Sequence, residues 1–116
     1  MIRPVLAATL CLLPIAASAQ PECSGNTQIE INVCAKDRWE TADAELNRLW
    51  SAAKPAADAR GHGQALLDSQ REWLRLRDAR CEPELDSGGS AAAMYYWSCM
   101  EEMTRARNQE LRIVAQ

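Results

Sequence analysis

The stretch QREWLRLRDARC, from Gln70 to Cys81, limits the fold of this chain more than any other. Most of its residues are strong helix formers. Gln70, Trp73, Arg77 and Cys81 recur at i, i+3, i+7 and i+11, which lays them along one helical face. That face carries a carboxamide, an indole, a guanidinium and a thiol. Buried polar groups need partners, so the stripe calls for neighbouring helices whose facing sides are also partly polar.

The rest of the chain supplies them. Thr27-Gln28-Ile29-Glu30 has the form of a capping box. A helical pattern then runs unbroken to Lys54, where Pro55 is expected to end it. Its core-facing positions read Ile31, Cys34, Arg38, Trp39, Ala42, Leu46, Leu49 and Ala53. The segment Pro55 to Gly63 reads as a connection short enough to make two helices antiparallel neighbours. A second helix opens near Gln64 and runs through Cys81, with Pro83 ending or kinking it. Asp86 to Ser90 forms a turn, Ser90 serving as N-cap of a third helix from Ala91 to about Val114. The third helix presents Cys99, Met103, Ala106, Glu110 and Ile113 as its stripe. No segment alternates like a strand, and the chain has no Phe. The expected fold is all-α, a three-helix bundle made of an antiparallel hairpin plus a third helix and tied by two disulfides.

Residues 1–19 read as a signal peptide: Arg3 near the start, an apolar run from Val5 to Ile15, and Ala17-Ser18-Ala19 as the cleavage signal. Cleavage after Ala19 leaves residues 20–116 as one domain in the periplasm or outside the cell. The apolar run is too short for a membrane span. Cys11 follows Leu10, not the small residue that lipid attachment wants, so no stable membrane anchor is expected. Losing Arg3 makes the mature chain more acidic than the full chain, whose net charge is -3. With no basic block, nucleic acid is not an expected partner; a basic protein is compatible. Cys23, Cys34, Cys81 and Cys99 remain, an even number that reads as two disulfides in a small exported domain. There is no C-x-x-C and a single His, so neither thiol redox chemistry nor a metal centre is expected, and no cofactor.

Folding the first two helices against each other brings Cys34 level with Cys81, Asp43 with Trp73 and Asn47 with Gln70, and sets Arg77 beside Trp39. Asp43, Asn47, Gln70, Trp73 and Arg77 are therefore expected to form a structural polar network, in which an Arg fork satisfies a carboxylate and an amide. No nucleophile or second acid of suitable spacing joins them. His62 is flanked by Gly, and Ser24, Ser87 and Ser90 lack a base, so an enzyme is not expected. The thiols can pair in three ways; the level arrangement favours Cys34–Cys81 with Cys23–Cys99. Tyr95, Tyr96 and Trp97 are consecutive, so a helix cannot bury all three. Tyr95 and Tyr96 are candidate partner contacts. So are Glu82, Glu84 and Asp86, unless that segment is simply a solvated turn.

With these residues in place, the chain resembles the LprI-type lysozyme inhibitor family. The likeness rests on Cys23, Glu30 and Cys34, then Ala42-Asp43-Ala44-Glu45-Leu46-Asn47, Gln70-x-x-Trp73 and Arg77-Asp78-Ala79-x-Cys81. Gly88-Gly89-Ser90 and Cys99 with Thr104, Arg107 and Leu111 complete it. Trp50 stands where such proteins often carry Tyr. The resemblance spans Cys23 to Leu111 and adds Arg107 to the scaffold network. It implies a helical fold and inhibition of a lysozyme by protein–protein binding at the enzyme's cleft, but no family motif assigns the contacting residues. The alternative is a non-catalytic cell-envelope interaction or stress module that binds another protein. The oligomeric state is open under either reading.

Overall fold

Local signals build most of the architecture. In a computed structural model, which describes residues 23–25 and 27–116, the chain forms three long helices and one single-turn helix. They are α1 (Gln28–Ala59), α2 (Gly63–Cys81), α3 (Pro83–Asp86) and α4 (Ala92–Val114), with no strand among the described residues. The all-α bundle with two disulfides is the one the sequence implies. The expected signal peptide lies outside the described residues.

Thr27 caps α1 from an extended backbone, φ -127° and ψ 153°, its Oγ1 accepting from the Glu30 amide at 3.2 Å. Pro55 does not end this helix, which continues to Ala59. Pro55 is exposed, so the Ser51 carbonyl deprived of its partner faces water and can be hydrated. Ala53 and Ala57, on the opposite side of the same turns, are buried and hold the segment on the core. The connection is therefore only Arg60 to His62, with Gly61 at φ +77° making the turn. Arg60 also reaches the end of α4, donating to the carbonyls of Val114 at 2.9 Å and Gln116 at 2.6 Å. A cation there satisfies carbonyls that the helix end leaves open.

Contacts between α1 and α4 climb together: Asn32 with Ser90, Arg38 with Glu101, Ala42 with Asn108 and Glu45 with Arg112. The two helices are parallel, and their packing is the most extensive in the molecule. Helix α2 runs antiparallel to both. Leu46, Leu49, Ala53 and Leu111 form the core, with Trp50, Leu66, Trp73 and Val114 packed against it.

Three further expectations differ from the structure. The buried stripe of α4 is Met100, Glu101, Thr104, Arg107, Asn108 and Leu111. Ala106, Glu110 and Ile113 face solvent, Ile113 being 72% exposed. A stripe drawn through Cys99 assumed that the thiol marks the middle of the core face; instead it lies at the edge toward α2, and polar residues fill the centre. Ser90 is not the side-chain cap of α4. Ala91 holds that position without a side-chain bond, and the Ser90 carbonyl accepts from Asn32 Nδ2 at 2.8 Å. The disulfides are Cys23–Cys34 and Cys81–Cys99, not Cys34–Cys81 and Cys23–Cys99. Residues 23–25 lie back along the first turns of α1, and the short α3 link sets the start of α4 beside the end of α2. Each thiol thus meets a partner close in sequence, 11 and 18 residues away.

Candidate functional site

The polar contact between α2 and α4 is centred on Arg107, which is 7% exposed. Its Nε donates to Gln70 Oε1 at 2.8 Å, and its terminal nitrogens donate to Glu110 at 2.7 Å and Ser69 Oγ at 3.1 Å. Gln70 is therefore held by α4. Arg77 turns away from Asp43: its Nε donates to Asp78 at 3.0 Å, and its guanidinium lies 5.2 Å from the centre of the Trp73 ring. Asp43 and Asn47 have no side-chain hydrogen bond or ion pair among the described residues. The residues grouped from sequence thus split between a closed contact around Arg107 and an open groove.

That groove, of about 550 Å³, runs between α1 and α2 and is lined by Trp39, Asp43, Asn47, Trp50, Gln70, Arg71 and Arg77, with Leu46, Leu67 and Leu74 beneath. The α1 residues recur at helical spacing and so share one face. Asp43 and Asn47 line it from α1, and Gln70, Arg71 and Leu74 from α2.

The far end of the bundle carries the other candidates. Glu82 and Asp86 are exposed and Glu84 is half-buried. Gly88 at φ +72° and Gly89 at φ +80° turn the chain from α3 into α4. Tyr95 is 54% exposed, whereas Tyr96 packs edge-on to Trp97 at 4.8 Å. Trp97 lies 4.9 Å from Trp39 across the α1–α4 contact. Leu85 is exposed beside the acids, and Ile29 and Val33 are exposed on the first turns of α1. Asn32 bonded to Ser90 and Gln28 bonded to Met94 place those turns at the same end. Ile29 and Val33 fall outside any apolar stripe, so periodicity could not single them out.

Two acidic groups lock α1 to α4. Glu101 is 8% exposed and receives Arg38 at 3.1 Å and Arg105 at 2.7 Å. Glu45 receives Arg48, with Arg112 reaching it from α4 at 3.4 Å. Hydrogen bonding from Arg48, against a smaller desolvation, holds the Glu45 carboxyl below its ordinary value. Among the described residues no group of His, Cys, Asp and Glu is arranged to hold a metal ion.

A family model described as lysozyme inhibitor LprI matches residues 19–111. An uncharacterized protein of Rhizobium meliloti (strain 1021) is 36% identical over 126 aligned residues, covering 94% of this chain and 91% of that one. No solved structure matches.

Proposed function

Because the chain belongs to the lysozyme inhibitor LprI family, we propose that it is exported and inhibits a lysozyme by binding it at the cleft as a protein, without catalysis. The observation that supports a location for the contact is the α3 end of the bundle. There Leu85 and Tyr95 stand exposed next to Glu82, Glu84 and Asp86, with Ile29 and Val33 at the same end. Acidic side chains around exposed apolar anchors suit a basic protein: charge speeds the encounter and buried apolar groups hold it. The Gly88-Gly89 turn and the Cys81–Cys99 bridge shape this end before binding, which lowers the ordering cost of association. No described helix is long and apolar enough to cross a membrane, in keeping with a partner met outside the lipid phase.

The test is a charge reversal, with Glu82, Glu84 and Asp86 all changed to Lys. Inhibition should weaken by about tenfold or more at low ionic strength, mostly through slower association, and lose its salt dependence. Binding to immobilised lysozyme, measured across a salt series, reads both quantities. Unchanged affinity and an unchanged salt slope would move the contact elsewhere on the protein.

A further inference from the structure

The α1–α2 groove gathers side chains whose hydrogen-bonding capacity is unused among the described residues. Asp43 is half-buried, and its carboxylate has no partner among the described residues. Asn47 and Arg71, on opposite walls, are likewise without side-chain partners. Gln70 is 9% exposed. Arg107 Nε donates to its Oε1 at 2.8 Å, which fixes the amide orientation and leaves Nε2 as a donor with no protein partner. Trp50, about one turn beyond Asn47 on α1, lines the same groove, half-buried and packed against the core.

The mixture selects a ligand class. Arg77 is already paired with Asp78, so a phosphate-bearing ligand would find one open guanidinium, Arg71, opposed by the Asp43 carboxylate, and an apolar ligand would leave four polar groups desolvated and unpaired. A pyranose has hydroxyls that both donate and accept around its rim. Its faces of C–H bonds suit the electron-rich face of an indole. A groove of about 550 Å³ lies within the usual range for small-molecule sites, roughly 300–1,000 Å³. We propose that this groove binds a short oligosaccharide of pyranose units, with Trp50 as platform and Asp43, Asn47, Gln70 and Arg71 reading the hydroxyls. Arg107 acts as a positioning residue by holding Gln70. This site is separate from the α3 end, and its occupation does not depend on a lysozyme partner.

The experiment titrates the mature, oxidised protein with chitotetraose, cellotetraose and maltotetraose in the absence of any enzyme. Tryptophan fluorescence and amide NMR shifts are the readouts. No lysozyme is present, so failure here leaves the inhibitor reading standing and the reverse also holds. Saturable binding of at least one tetrasaccharide at millimolar concentration or below is expected, with shifts at the Trp50 indole and the Gln70 side-chain amide. Asp43→Ala and Asn47→Ala should each weaken it by roughly tenfold while leaving the melting temperature unchanged. No saturation with any of the three sugars would overturn the proposal. Binding that survives both substitutions intact would do the same.

Discussion

Arg107→Met is expected to lower stability by about 2–4 kcal/mol, which for a domain of this size is a fall of roughly 10–20 °C in melting temperature. The guanidinium joins Gln70 and Ser69 on α2 to Glu110 on α4. Glu110 is largely exposed and can return to water. Gln70 cannot: its Oε1 would stay buried and unpaired, and that loss carries most of the cost. The double variant Arg107→Met with Gln70→Leu should therefore recover part of it, since both polar partners are then gone. Asp43→Ala, at a site with no partner to lose, should change stability by no more than about 0.5 kcal/mol. Thermal melts of the three variants decide the matter. If Arg107→Met melts with the wild type, the closed contact between α2 and α4 is not holding the bundle together.

The second large effect belongs to the Cys81–Cys99 bridge. Replacing both residues by Ala should cost about 3 kcal/mol from the freed loop in the unfolded chain. Loss of packing adds to this, because Cys81 is fully buried with the Met103 sulfur 4.0 Å away. The matching change at Cys23 and Cys34 should cost less than its own loop length implies. That bridge ties only the segment at Cys23 to α1, so that segment can detach while the three long helices stay packed. Denaturant titrations of the two double variants compare them directly. A larger loss from the Cys23–Cys34 pair would mean that the segment at Cys23 is an integral part of the core.

What could be read from the sequence follows from which signals are local. The capping box at Thr27, the break at Pro83 and the stripe from Gln70 to Cys81 depend on neighbours in the chain, and they located the helices well. Pro55 misled because its effect depends on whether the orphaned carbonyl meets water, which is a tertiary property. The α4 face was misplaced because its centre is polar: Glu101, Thr104, Arg107 and Asn108 are buried there. Apolar periodicity passes over such residues. The disulfide pairing depended on α4 running parallel to α1 and on the reach of the α3 link, neither of which is encoded in the spacing of four thiols. Level pairing brings Asp43, Asn47 and Gln70 to one side of the hairpin, where all three line the groove, but whether they close on Arg77 or open toward solvent rests on side-chain choices that level pairing does not resolve.

Binding to a lysozyme is the claim on which the functional reading stands. Its most direct measurement is lysis of a cell-wall suspension by c-type and by g-type lysozyme, with the mature oxidised protein titrated in and the reduced protein as control. The account predicts dose-dependent protection against at least one of the two enzymes, weakened when the disulfides are reduced. Undiminished lysis by both enzymes at micromolar protein would contradict it.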